Sequence, residues 1–246
     1  MERSNTERIA ELEATSWWYR ARRDLLDGLL ERYGPFAYGL DFGCGVGANL
    51  ATLGTHCRRS VAFDPSFAAA AHAAGAETTR VGPAVSLLVA DGLALPMSAG
   101  AVDLVACLDV LEHVDDGRAL GEIQRVLRPG GLLIVTVPAH PHLWNENDEF
   151  SHHLRRYRRR DLKAALAAFD VLELTYWNVG AYLPALAYAT WRRRFPIEPR
   201  NNLDAVPSLT EEPLRRLATA ENRLRRWLPV PTGTSLVAVA RKPSHA

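Results

Sequence analysis

The sequence predicts an α/β fold, a mostly parallel sheet with helices on both of its faces. Three observations carry this. Short apolar runs alternate with helical patterns from residue 37 to residue 137, the layout of βαβ units. Several runs are apolar throughout, such as Leu132-Leu133-Ile134-Val135, as strands covered on both sides are. And a glycine-rich turn, Gly43-Cys44-Gly45-Val46-Gly47, follows the first run at once. The 246 residues fit one domain carrying an insertion. We read 1–34 as an N-terminal helical cap, 35–177 and 232–243 as the core, and 178–231 as a helical insertion.

The elements follow in order. Trp17, Trp18, Tyr19, Leu25, Leu26, Leu29 and Leu30 recur at helical spacing, after a weaker helix through Ile9 and Leu12. Gly34-Pro35 stops that pattern. Strands are expected at 37–42, 61–63, 86–90, 102–108 and 132–137, with helices at 48–53, 66–75 and 117–127. Residues 139–157 read as a polar loop rich in His and aromatics. A helix at 161–169 and a strand at 171–177 come next. Then follow an apolar, aromatic stretch (178–194), a Pro/Asn-rich stretch (195–208), an amphipathic Arg-rich helix (209–228) and a seventh strand at 235–240.

Composition excludes several classes. Hydrophobic residues at 48% and charged residues at 23% are incompatible with a disordered or collagenous chain. Lys+Arg 29 against Asp+Glu 28 leaves +1, so no global field draws nucleic acid or an acidic membrane. Cys44, Cys57 and Cys107 have neither disulfide nor metal spacing. The polar start carries no signal-peptide pattern and no apolar run is long enough to span a bilayer. A cytoplasmic protein with reduced thiols is expected.

A strand that runs into Gly-x-Gly-x-Gly and then a helix offers a close-approach backbone and free N–H donors to a phosphate or nucleoside. Gly43-x-Gly45-x-x-Ala48 also satisfies the dinucleotide pattern, so a nicotinamide-dependent oxidoreductase stays open. Three acids shift the balance. Asp41 lies in the first strand, Asp64 ends the second, and Asp91 ends the third. A pyrophosphate wants donors without carboxylates nearby. A ligand bearing an ammonium, a sulfonium and a nucleoside wants acids around it, and S-adenosylmethionine is such a ligand. Asp41 also fits a structural acid bonding the turn, and Asp64 a helix cap.

Here the sequence resembles the class I S-adenosylmethionine-dependent methyltransferases, of the type 11 and type 23-like small-molecule kind. The carriers are Leu40-Asp41-Phe42-Gly43-Cys44-Gly45-Val46-Gly47, Phe63-Asp64, Ala90-Asp91, Leu108-Asp109-Val110-Leu111-Glu112-His113-Val114, and Arg125-Val126-Leu127-Arg128-Pro129-Gly130-Gly131, in the family's order. The resemblance implies a Rossmann-like sheet of seven strands with the last one antiparallel. It implies that Gly43, Gly45 and Gly47 wrap the methionine part of the cofactor. Asp64 would take the ribose hydroxyls, Asp91 the adenine amino group, and Leu108 the pocket wall. Tyr19 and Arg22 resemble a segment whose Arg meets the methionine carboxylate, although Arg23 beside it leaves the register ambiguous.

Ligands of open α/β sheets lie beyond the carboxyl ends of the strands, so the 139–157 loop faces the methyl acceptor. Trp144, Asp148, His153, Arg155, Arg156 and Tyr157 match a subgroup pattern, with His152 where that subgroup has glycine. Histidine has the right unperturbed pKa to take an acceptor's proton. We therefore expect His153 as base, oriented by Asp148, with His113 as the second candidate. Asp148 and the arginines also fit a salt-bridge network anchoring the loop. The spacing of His140, His142, His152 and His153 does not define a metal site, and none is expected. The expected reaction is methyl transfer to oxygen or nitrogen of a small molecule, such as a natural-product or a sugar or lipid intermediate, yielding S-adenosylhomocysteine. An RNA or protein methyltransferase is the alternative, carried by the arginines at 155–160. The apolar residues of 178–194 suggest a cover for the acceptor or a homodimer contact.

Overall fold

The structure, a computed structural model, describes residues 2–75, 85–195, 208–225, 227 and 230–244. Seven strands form one sheet: β1 (Phe36–Phe42), β2 (Cys57–Asp64), β3 (Val85–Val89), β4 (Val102–Leu108), β5 (Leu127–Pro138), β6 (Asp170–Trp177) and β7 (Ser235–Arg241). Their order is β3-β2-β1-β4-β5-β7-β6. The pairs from β3 through β5 are parallel, and β7 is antiparallel to both β5 and β6. The chain is thus the Rossmann-like seven-stranded fold expected from the sequence. The expected strand at 61–63 reaches back to Cys57, because the outer Arg58 and Arg59 pair along the sheet without being buried.

The helices are α1 (Glu2–Thr15), α2 (Trp17–Tyr33), α3 (Leu50–His56), α4 (Phe67–Gly75), α5 (Asp116–Val126), α6 (Glu146–Phe150), α7 (Arg159–Ala165), α8 (Tyr182–Arg194) and α9 (Ser208–Leu224). Side chains alternate across each strand, and this splits the core in two. Leu40, Phe42, Val105, Cys107, Leu133 and Val135 face α5 and α7. Leu104, Ala106, Leu108, Ile134, Val237 and Val239 face α2 and α9. Asp41, between Leu40 and Phe42, therefore projects on the α2 side. That alternation delivers a buried acid to a face lined by Tyr19 and Arg22.

The expected loop at 139–157 contains α6, which the sequence reading missed. Its start is a capping box: Asn145 accepts from Asn147 N, and Asp148 accepts from Asn145 N at 2.9 Å. The helix expected at 161–169 begins earlier, at Arg159, with Asp161 accepting from Arg158 N. From the 178–231 segment, α9 packs along α2: Asn222 donates to the Ala21 carbonyl and Trp177 donates to Asn222. The expected Pro/Asn-rich stretch lies almost wholly outside the described residues. Among those described, no helix is long and apolar enough to cross a membrane. All three cysteines are free and buried.

Candidate active site

The glycine turn joins β1 to α3. Gly43 has φ +77° and an added Cβ would lie 2.7 Å from Val110 Cγ2. Gly47 has φ +94°, with the same test meeting Ala73 Cβ at 2.9 Å. Both positions thus need glycine for conformation and for space. Asp64, at the tip of β2, accepts from Gly45 N at 3.0 Å and from Ser66 N at 2.8 Å. It braces the turn and starts α4. Asp91 accepts from Leu93 N at 2.9 Å and is exposed beyond the tip of β3. Leu108 closes the end of β4, almost fully buried.

Asp41 is 1% exposed, and among the described residues neither carboxylate oxygen has a well-formed hydrogen bond, only a weak interaction with the Asn49 side chain. Burial pushes its pKa up to about 7, against the opposing pull of Arg22. Arg22 is buried too. Its Nη1 donates to Asp109 Oδ2 at 2.7 Å while its Nε has no partner. The guanidinium lies 5.0 Å from the Trp18 ring centre and 5.1 Å from that of Tyr19. Burial raises the Tyr19 hydroxyl to about 12, so it stays a neutral donor. Arg23 instead donates to the Glu13 carbonyl, and of the two arginines it is Arg22 that acts on Asp41. A buried carboxylate without a well-formed hydrogen bond and an unpartnered guanidinium nitrogen flank one turn. They fit the ammonium and the carboxylate of an amino acid. S-Adenosylmethionine carries that pair, and a nicotinamide dinucleotide would bring a pyrophosphate towards Asp41.

Sequence reasoning missed Glu13 of α1. Its Oε1 lies 3.6 Å from the Cβ position of Gly45, and Ala48 N donates to its carboxylate. Burial raises its pKa, against Arg22 and Arg23. Nothing in the weak helical pattern of 2–15 marked Glu13 as different from its neighbours.

The second half of the site lies past β4 and β5. Asp148 is fully buried, and its Oδ1 accepts a hydrogen bond from His153 Nδ1 at 2.8 Å. Arg156 Nε donates to both of its oxygens at 2.8 and 2.9 Å. Burial pushes the Asp148 carboxyl up, but the bonds from His153 and Arg156 outweigh it and hold it below the usual range. An ionised Asp148 only accepts, so His153 carries its proton on Nδ1. The His113 ring stands edge-on to His153, 4.7 Å between centres. One edge of the His113 ring is exposed, but the atoms packed around the rest of it lower its pKa to about 4, and His153 adds to this. His113, His153 and Asp148 are therefore brought together. His140 and His142 are drawn away, His140 stacked on Tyr176 and His142 bonded to Tyr182.

His152 has φ +54°, a left-handed backbone that explains the glycine of the subgroup pattern. Tyr157 anchors the loop by donating to Leu111 O and Asp116. Arg155 pairs with Asp116 and Arg156 with Asp148. The basic run at 155–160 thus spends two of its charges inside the fold, which removes much of the support for a nucleic-acid groove. α8 reaches the loop through Tyr188 and Arg192, both on Glu146.

Residues 40–135 match the methyltransferase domain family. Over that segment the chain is similar to S-adenosylmethionine-dependent methyltransferases. The chain is 38% identical over 118 residues to an uncharacterised transposon protein of Streptomyces fradiae, covering 46% of this chain and 33% of that one. It is 31% identical over 131 residues to a "probable S-adenosylmethionine-dependent methyltransferase" of Mycobacterium tuberculosis, covering 53% of this chain and 46% of that one. It thus spans less than half the length of either relative. The geranyl diphosphate C-methyltransferase of Streptomyces coelicolor has the same fold, with TM-score 0.59 and 19% identity over 88% of this chain and 79% of that one. So does the N-methyltransferase NodS of Bradyrhizobium japonicum, with TM-score 0.57 and 18% identity over 92% and 87%.

Proposed function

We propose that this chain transfers the methyl group of S-adenosylmethionine to oxygen or nitrogen of a small polar acceptor. The cofactor supplies an electrophilic methyl carbon on a sulfonium. Asp41 would hold its ammonium, Arg22 its carboxylate, Asp64 its ribose and Asp91 its adenine. The acceptor's lone pair forms the new bond to carbon. The carbon–sulfur bond breaks with its electron pair going to sulfur, and the acceptor's proton leaves to a base. His153 is that base: the Nδ1–H donated to Asp148 leaves Nε2 free to accept, and His113 stands beside it.

The carrying observation is the Asp148–His153 pair beyond the sheet end that holds the glycine turn. The small-molecule reading draws support from relatives of known acceptor type: one neighbour by fold is named for geranyl diphosphate, and a plant relative, 32% identical over 109 residues, is norajmaline N-methyltransferase of Rauvolfia serpentina. Catalysis here is mainly alignment and exclusion of water, with the base contributing roughly 10²–10⁴-fold. The test is transfer of label from methyl-labelled cofactor across a library of hydroxyl- and amine-bearing metabolites. His153→Ala is expected to lose that base contribution in kcat while S-adenosylhomocysteine affinity holds. Undiminished turnover in His153→Ala would remove His153 from the chemistry, and label appearing only in RNA or protein would overturn the acceptor class.

A further inference from the structure

We propose that Glu112, His113 and His153 form a binding site for one divalent transition-metal ion, placed to hold the acceptor's oxygen. Binding of the ion stands on its own; its use rests on the methyl transfer proposed above, and with the ion bound it takes over the activating role given there to His153 Nε2. One ligating atom from each of the three residues lies within 4.8 Å of the others. Glu112 and His113 sit on the single helical turn Leu111–His113 that follows β4. His153 comes from the end of the loop after β5. The two segments are tied directly, Leu154 N donating to the Glu112 carbonyl at 2.7 Å.

The independent observation is Glu112 itself. It is 1% exposed, and neither of its carboxylate oxygens has a well-formed hydrogen bond among the described residues, only a weak interaction with its own backbone N–H. A buried carboxylate so poorly partnered is costly, and nearby cations ordinarily answer it. The two guanidiniums close enough to act on it are engaged elsewhere, Arg22 with Asp109 and Arg156 with Asp148. A metal ion between Glu112 and the two imidazoles supplies the missing charge.

His153 is also prepared as a ligand. Asp148 fixes its proton on Nδ1, which leaves Nε2 with a lone pair, and Asp148 is held in turn by Arg156 and Asn145 N. A carboxylate behind a metal-binding histidine is the usual supporting arrangement. Two nitrogens and one carboxylate suit zinc, iron(II) or manganese, and three protein ligands leave a position open. His113 lies on the exposed side, so an ion and a ligand can enter there. An ion with an open position lowers the pKa of a bound hydroxyl and holds it as the oxyanion. The acceptor class that follows is a small molecule with an ionisable hydroxyl, a phenol or enol, its proton lost to solvent as the oxygen binds the ion, and a remaining oxygen lone pair free to attack.

The experiment uses protein stripped with a chelator and titrated with Co²⁺, whose visible absorption reports an N/O site, followed by displacement with Zn²⁺. One Co²⁺ per chain is expected. His113→Ala, His153→Ala and Glu112→Gln should each weaken binding by roughly tenfold or more, while His142→Ala and His152→Ala leave it unchanged. Glu112 is buried and its variant is checked by circular dichroism; exposed His113 decides the matter if that variant does not fold. Absence of stoichiometric Co²⁺ binding, or binding that survives His113→Ala, overturns the site. S-Adenosylhomocysteine affinity, measured by calorimetry on the stripped protein, should persist. Cobalt bound by a protein with no such affinity would leave the metal site standing and overturn the methyltransferase reading.

Discussion

Arg22 Nη1 meets Asp109 Oδ2 at 2.7 Å and so fastens α2 to the tip of β4. Asp109 stands at φ +57°, an unfavourable backbone for a non-glycine residue. Its conformation is held from two sides, since Thr136 Oγ1 donates to the same oxygen and Asp109 N donates to Thr136 O. Arg22→Ala strands Asp109 and takes the nearest positive charge from Asp41. Breaking a buried pair by removing one partner costs about 3–5 kcal/mol. Urea unfolding should register that loss, and calorimetry should show S-adenosylhomocysteine affinity falling with it. Unchanged stability would mean that the pair is not a fastening.

On the proposed reading, Asp41 ties cofactor binding to pH. Its carboxyl is raised from 3.8 to about 7 in the folded chain. Below 3.8 both folded and unfolded chains keep the proton. As pH rises towards about 7 the unfolded chain ionises first, so the folded state binds more protons and stability falls. Asp41→Asn is therefore expected to raise the melting temperature of the ligand-free protein at pH 8, by an amount corresponding to at most about 4 kcal/mol. The same substitution should weaken cofactor binding, and wild-type affinity should drop as pH falls through about 7, because protonated Asp41 no longer attracts the ammonium. A pH-independent affinity between 6 and 8 in wild type (values chosen at roughly one unit either side of neutrality) would contradict this role.

On the same reading, Glu13 competes for the groups the cofactor would need. It takes the Ala48 N–H beside the turn and lies close enough to Arg22 to feel its charge, both of which suit the carboxylate of a bound amino acid. Glu13→Ala is expected to tighten S-adenosylhomocysteine binding by about fivefold, near 1 kcal/mol. Weaker binding would show instead that Glu13 is a contact for the ammonium.

His152 occupies a backbone conformation suited to glycine, at φ +54°. Its neighbours His153 and Ser151 are both held by backbone bonds to α6, so the turn cannot relax. His152→Gly should stabilise the fold by roughly 1 kcal/mol, seen as a higher denaturant midpoint with an unchanged slope. A lower midpoint would mean that the His152 side chain is needed.

The sheet was legible because continuous apolar runs and a glycine turn leave few alternatives at the core. The two faces of β1 were legible as well, since period-2 alternation alone sends Asp41 opposite to Leu40 and Phe42. The pairing of Asp148 with His153 was readable from residue type and the family pattern. Other features were hidden by distance along the chain. Glu13 reaches the turn only through the packing of α1 on α2 and α4. Glu112 reads as one polar residue in a short junction until both of its oxygens are seen to be buried and without a well-formed hydrogen bond. The helix α6 was lost because five residues, Glu146–Phe150, are too few for a helical period to show and only the Asn145 and Asp148 caps mark it.

The most direct measurement is calorimetric titration of the chain with S-adenosylhomocysteine and, separately, with NAD. One equivalent of S-adenosylhomocysteine should bind, Asp64→Ala should weaken it by at least about tenfold, and NAD should give no saturable heat. Saturable NAD binding with none for S-adenosylhomocysteine would contradict the account at its base.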